Sequence, residues 1–204
     1  MKPTAARNLS NHLAMDQPEE ALRIAREIQS PWFKCQALWH VARYWPDEKY
    51  AKLLEEAVRS ADSQDQVFNC VAVSAWPIRA YLERGNPSPA KKLLIKGTQA
   101  ARTIENMGSR SEALFSIFQA ARPFEFELWQ PVFLTLVVEA EPASSWRQLR
   151  NLKNAAAMVS SEHPALLENA LTKLSDVKTP STVKRYLDEH IHAEPRPYFW
   201  TEQA

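Results

Sequence analysis

Apolar residues along the chain recur at intervals of three and four, the spacing that places them on one face of an α-helix. The clearest case is Ser30–Tyr44, where Ser30 can cap the helix and Pro31 suits its first turn. Its apolar stripe consists of Cys35, Leu38, Val41, Ala42 and Trp45. Pro46 ends the pattern, and a second helix is predicted over Asp47–Ala61. Because the connection is so short, we expect the two helices to be antiparallel neighbours.

The same pattern continues along the chain and predicts an all-α fold of five antiparallel helix pairs, a single C-terminal helix and a tail. The pairs cover residues 4–28, 30–61, 64–104, 109–140 and 144–174, the terminal helix covers 182–192, and the tail covers 193–204. Asp16 is the expected cap of the helix that begins at Pro18. Pro77 and Pro131 fall inside helical patterns, where each removes a backbone hydrogen bond and is expected to kink or break its helix.

An internal repeat supports this organisation. The segment Lys34–Arg43 aligns with Arg110–Gln119, and the ends of the second helices recur every 33 to 43 residues. Such a period is typical of helical solenoids, so we expect a right-handed α–α superhelix that forms one domain over residues 1–204. With this repeat, the chain resembles the αα-superhelical proteins, the group that includes tetratricopeptide-like and HEAT-like repeats. The resemblance implies a binding scaffold and assigns no individual residue.

The composition of the chain argues against most kinds of catalytic site. Three glycines in 204 residues leave no phosphate loop or dinucleotide fingerprint, and no zinc-ligand spacing occurs. Cys35 and Cys70 lie in apolar helical patterns and are expected to be reduced core residues. We therefore predict no enzyme activity, no cofactor and no metal; the segment Asp188–His192 is interpreted as a solvated helix end.

Charge and hydropathy bear on the partner and the compartment. The 25 lysines and arginines balance 24 aspartates and glutamates, so no overall field attracts nucleic acid or an anionic membrane. No apolar segment approaches the about 20 residues that span a bilayer, and the N-terminal residues lack the apolar run of a signal peptide. The sequence therefore predicts a cytoplasmic protein without membrane association.

Candidate binding residues lie on the polar side of the first helix of each pair. Gln36, His40 and Arg43 are spaced as one helical line, and Trp39 is the tryptophan expected to be partly exposed beside them. The full predicted groove consists of Lys34, Gln36, Trp39, His40, Arg43, Arg110, Arg147 and Arg150. For each polar residue the alternative interpretation is a solvated helix face, and for Trp39 it is packing between repeats.

Two functions remain open. The leading hypothesis is a non-enzymatic scaffold or adaptor that binds a protein or peptide on the concave face of the solenoid. The alternative is a nucleic-acid-binding helical-repeat protein, a class that includes glycosylase-like enzymes, in which Arg110, Arg147, Arg150 and Lys153 contact phosphates. The aromatic segment Pro195–Trp200 either caps the last repeat or offers a docking peptide.

Overall fold

The structure is a computed structural model that describes residues 1–46, 48–141 and 144–190. Within these ranges the chain forms eleven α-helices and no strand, which confirms the predicted all-α class. The helices are α1 (Pro3–Leu13), α2 (Pro18–Glu27), α3 (Pro31–Tyr44), α4 (Tyr50–Asp62), α5 (Val67–Glu83), α6 (Pro87–Ala101), α7 (Met107–Ala121), α8 (Phe126–Glu139), α9 (Trp146–Ser160), α10 (Pro164–Thr172) and α11 (Lys178–Glu189). The predicted end of the last helix, the tail 193–204 and Pro195–Trp200 lie outside the described residues.

Proline opens five of these helices. The residues are Pro3, Pro18, Pro31, Pro87 and Pro164. Proline suits this position because its missing N–H would have no intrahelical acceptor and its fixed φ matches the helix. The expected side-chain caps beside two of these prolines are absent. Ser30 occupies the cap position of α3 without a side-chain hydrogen bond, and the cap position of α2 is Gln17 rather than Asp16.

Side-chain caps occur instead at three later helices. Asn106 accepts a hydrogen bond from the backbone of Ser109 at the start of α7, and Ser145 forms a reciprocal capping box with Gln148 at the start of α9. The carboxylate of Asp176 accepts hydrogen bonds from the backbone N–H groups of residues 178 and 179. This cap explains why α11 begins four residues before the predicted start at residue 182.

Neither interior proline ends its helix. Pro77 lies within α5 and Pro131 within α8, and both helices continue beyond the proline. Pro77 cannot donate to the carbonyl of Val73, four residues earlier. The buried thiol of Cys35 lies 3.6 Å from that oxygen and donates to it from α3. A neighbouring helix thus supplies the donor that the proline lacks.

The chain divides into two compact units, the first ending at Ala100 and the second beginning at Ala101. In the first unit, α3 packs against α1, α2, α4 and α5. In the second, α9 packs against α7, α8, α10 and α11. Helices packed against their neighbours in this way are compatible with a helical repeat. The single domain over residues 1–204 stays a prediction.

Each unit has its own apolar core. Leu38, Leu54 and Ile78 are fully buried in the first unit. In the second, Phe118 lies at the centre of an aromatic cluster, with its ring 6.0 Å from that of Trp129 and 5.7 Å from that of Phe133. Among the described helices, none is both long and apolar enough to cross a membrane.

Candidate functional site

The predicted groove residues of α3 are largely engaged with neighbouring helices. Gln36 is 4% exposed and accepts a 2.7 Å hydrogen bond from Arg7 of α1. Two turns further along the same line, Nε of Arg43 lies 3.0 Å from a carboxylate oxygen of Glu83 on α5. Lys34 donates to the backbone carbonyl of residue 26 at the end of α2. These contacts hold helices together, and they leave little of this polar line for a partner.

Trp39 is 4% exposed, so the expectation that it is partly exposed is wrong. Its ring lies 5.3 Å from that of His40 and 5.7 Å from the guanidinium of Arg43. The physical reason is that both α1 and α5 pack on α3, so its polar side faces protein rather than water. Trp39 is thus packed between helices, as the alternative interpretation expected; that these helices are repeats stays a prediction.

The predicted arginines of the second unit differ in their surroundings. Arg110 pairs with Glu139 at 2.6 Å and donates to the carbonyl of Ile104. Arg150 pairs with Glu112 of α7. Arg147 is exposed, and within the described part of the chain it has no carboxylate partner. Arg147 and Arg150 thus come together on α9, whereas Arg110 lies elsewhere with its own ion pair.

A row of cationic and aromatic side chains follows α9 and the end of α11, and we name it the α9–α11 row. Its members are Trp146, Arg147, Arg150, Lys153, Tyr186 and His190. The guanidinium carbons of Arg150 and Arg147 lie 4.9 and 5.8 Å from the centre of the Trp146 ring. These distances are in the range of cation–π contacts.

The α11 end of the row repeats this alternation of cation and ring. Nζ of Lys153 lies 5.1 Å from the centre of the Tyr186 ring. The same ring stacks on His190 at 4.3 Å with an angle of 25° between the planes. Nδ1 of His190 lies 2.9 Å from the carbonyl oxygen of Tyr186. The ring of His190 is therefore held in place although it is exposed.

Trp146 is, with Tyr186 and His190, one of the residues of this row that sequence reasoning missed as a site. It is 68% exposed, whereas Trp39 and Trp129 are buried. The signal that identifies it is its angular position: Gln148, Leu152 and Ala155 and their neighbours form the buried side of α9, and Trp146 lies off that stripe. With Arg150 and Lys153 it shares the i, i+4, i+7 spacing of one helix face.

A cavity of about 460 Å³ adjoins the Trp146 end of the row, between the first residues of α7 and those of α9. Trp146, Arg147 and Gly108 are among its lining residues. A Cβ on Gly108 would lie 3.3 Å from Oδ1 of the helix cap Asn106 and 3.4 Å from Cδ of Arg147, so the two helix starts lie in close contact here. The volume falls within the roughly 300–1,000 Å³ of ligand pockets.

Neither a three-residue metal cluster nor a thiol of lowered pKa occurs among the described residues. No group of three His, Cys, Asp or Glu side chains there is arranged to hold a metal ion. Burial raises the pKa of the Cys35 thiol and that of the Cys70 thiol, with the charge of Asp62 adding to each. Both thiols are thus weak nucleophiles. Comparison of the chain with protein-family models, with curated proteins and with solved structures found no match.

Proposed function

We propose that this chain is a non-enzymatic binding module that holds a segment of a partner protein against the α9–α11 row. The observation that carries the proposal is the exposure of Trp146 between two arginines. The apolar surface of an indole that is 68% exposed stays in contact with water until a partner covers it. Covering it is favourable because it removes apolar surface from water. Tryptophan and arginine are also the residue types most often found at the energetic centre of protein interfaces.

The helical scaffold supports the same function. Rigid helices position side chains more firmly than loops do, and α9 is fixed at its N-terminus by the capping box of Ser145 and Gln148. Trp146 is the first residue after that cap. We propose further that the units belong to a right-handed superhelix of the tetratricopeptide-like or HEAT-like kind, whose members mostly act as scaffolds.

A randomised 12-residue peptide display library tests this function. The library is panned against the immobilised full chain and, in parallel, against Trp146→Ala. We expect a pool of peptides that binds the unaltered protein and binds the variant at least tenfold more weakly, about 1.4 kcal/mol. Because Trp146 is exposed, the variant should keep the helical circular dichroism and thermal midpoint of the unaltered chain.

Ile95→Ala is the matched control, since Ile95 is a 51% exposed apolar residue of α6 in the first unit. It should bind the same pool with unchanged affinity. The proposed function is overturned if panning enriches no peptide, or if the enriched peptides bind Trp146→Ala as tightly as the unaltered chain.

A further inference from the structure

We infer that the partner segment is acidic: an extended peptide with carboxylates at alternating positions beside one apolar or aromatic residue. This inference rests on the proposed function and names the class of its partner. It follows from the charge state of the row, from the spacing of its cations and from the charge of the surrounding unit.

Several arginines elsewhere in the described residues carry carboxylate partners, whereas Arg7 bonds to Gln36 and Asn8 instead and Arg59 has no described carboxylate partner. The pairs are Arg23 with Glu20, Arg26 with Glu56, Arg43 and Arg79 with Glu83, Arg110 with Glu139 and Arg122 with Glu162. Arg147 and Lys153 likewise have no carboxylate partner in the described part of the chain, and both lie against aromatic rings of the same row. Two cations held on aromatic faces can accept carboxylates from another molecule.

The spacing of the row fits an extended chain. Trp146, Arg150 and Lys153 are separated by four and three residues, about 6 and 4.5 Å along the axis of α9 at 1.5 Å per residue. Alternate residues of an extended peptide point to the same side and lie about 6.6 Å apart. A segment laid along α9 can therefore place an apolar side chain at Trp146 and a carboxylate near the next cations.

The cavity beside Trp146 explains why an apolar or aromatic residue should accompany the carboxylates of the partner segment. It opens beside Trp146 and Arg147, and its other lining residues are mostly polar, so a side chain that packs on the indole at its rim brings its neighbours next to a guanidinium. A carboxylate and a guanidinium in such a position can form a bidentate pair. Apolar burial and charge pairing thus select the same segment.

The charge of the second unit favours a short acidic peptide over nucleic acid. Residues 101–190 contain ten lysines and arginines against eleven aspartates and glutamates. Glu112 also neutralises Arg150, and Glu105 lines the cavity. A nucleic-acid backbone carries a charge at every nucleotide and requires a continuous positive groove. In the row itself, Arg150 is paired with Glu112, so Arg147 and Lys153 are its two lysine or arginine side chains without a carboxylate partner among the described residues.

The test starts from the Trp146-dependent peptide pool and sequences it. We expect aspartate and glutamate to be enriched over the starting library, with acids at alternating positions beside an apolar residue. One enriched peptide is then synthesised with fluorescein and titrated with the unaltered chain, and its glutamine and asparagine counterpart serves as the neutral probe. The neutral probe should bind at least tenfold more weakly, and raising NaCl from 50 to 300 mM should weaken the acidic peptide.

Charge reversal locates the contact. Arg147→Glu and Lys153→Glu should each weaken the acidic peptide at least tenfold and leave the neutral probe nearly unchanged. Lys91→Glu is the matched control, because Lys91 is an exposed lysine of α6 and its reversal changes the net charge equally. It should alter the affinity less than twofold. A thermal melt shows that each variant is folded.

Four results overturn the inference. A Trp146-dependent pool without acidic enrichment, or one whose neutral counterpart binds equally well, overturns the acidic partner and leaves the proposed function standing. A fluorescent 20-nucleotide poly-dT that binds more tightly than the peptide and is lost in Arg147→Glu indicates a single-stranded nucleic acid instead. The absence of any Trp146-dependent pool overturns both proposals.

Discussion

At the residue scale, the thiol of Cys35 has a structural role that its burial alone does not reveal. Pro77 leaves the carbonyl of Val73 without its helical donor, and Cys35 donates to that oxygen from another helix. An unpaired carbonyl in this core would cost about 1–3 kcal/mol. A sulfur donor is weak but recovers part of that cost. Cys35 and Pro77 should therefore be energetically coupled although they lie on different helices.

A double-mutant cycle measures this coupling. Cys35→Ala should lower the free energy of unfolding more in the unaltered chain than in Pro77→Ala, because an alanine at position 77 restores the N–H that Val73 lacks. We expect a coupling of about 0.5–1 kcal/mol from urea denaturation of the four proteins. Cys35→Ser keeps a donor and serves as the control. Strictly additive effects would show that the thiol contributes only its volume.

The tryptophans show which aspects of side-chain burial can be predicted from the sequence and which cannot. The apolar stripe of α3 was visible in the sequence, and its members Cys35, Leu38 and Val41 are buried. The burial of Trp39 could not be predicted from the sequence, because it depends on which helices pack against α3. Trp146 is the opposite case. Its position on the polar face of α9 could be predicted from the sequence, but its exposure also requires that no neighbouring helix covers that face. Burial on a polar face is a tertiary property.

At the scale of the element, helix starts were predictable wherever a proline opens the first turn. Pro18 and Pro31 locate their helices to within a residue. The start of α11 was harder, because Pro180 suggested a later start whereas Asp176 nucleates the first turn from outside the helix. From the sequence alone, an aspartate at this position is equally compatible with a helix cap and with a solvated side chain. Only the backbone conformation distinguishes the two roles.

The cap of α11 makes a pH-dependent prediction. Hydrogen bonds from the Thr179 hydroxyl and from the backbone of Lys178 lower the pKa of Asp176 below its ordinary value. A lowered folded-state pKa means that the carboxylate stabilises the fold at neutral pH and that this contribution is lost as the pH falls through the ordinary and then the lowered pKa. Asp176→Ala should therefore lower the thermal midpoint most at pH 7 and progressively less below about pH 4.

Circular dichroism melts at pH 7, 5 and 3 provide the measurement. Asp188→Ala is the control, since Asp188 is an exposed carboxylate of the same helix beyond its first turn. It should leave the pH dependence of the midpoint as it is in the unaltered chain. A midpoint difference for Asp176→Ala that stays constant from pH 7 to pH 3 would contradict the cap as the source of the stabilisation.

At the scale of the whole molecule, the division into two units predicts partial independence of folding. The contacts that stabilise α3, α4 and α5 come from helices of the same unit, and an ion pair between Lys96 and Asp62 joins α6 to α4. A chain that ends after Ala101 should therefore fold by itself into a helical monomer. Its far-ultraviolet circular dichroism should show a cooperative thermal transition.

The truncated chain also has an internal check. Trp39→Ala removes a buried indole from its centre and should cost about 3–5 kcal/mol, enough to lower the transition strongly. A truncated chain without helical signal, or one whose signal fades without a transition, would mean that the first unit depends on the rest of the molecule.

The all-α class and the helix count followed from periodicity alone, because each helix carries its own pattern of apolar positions. The site could not be predicted in this way, because it consists of side chains that the packing of two helices brings together. Arg147 and Arg150 were predicted from their charge, whereas Tyr186 and His190 join them only through the packing of α11 on α9. Nothing in the spacing of residues 146 to 190 indicates that contact.

The polar contacts between helices also have a consequence for how the chain reaches its folded state. The pairs Arg7–Gln36, Arg26–Glu56, Lys96–Asp62 and Arg150–Glu112 join residues 29 to 38 positions apart, which is one helix pair along the chain. Because each of these contacts joins helices that lie near one another along the chain, the loops that folding must close are moderate in length, and we expect fast folding. Helix pairs can then form in succession, and the amide hydrogens of the outermost helices should exchange with solvent before those of α3 and α9.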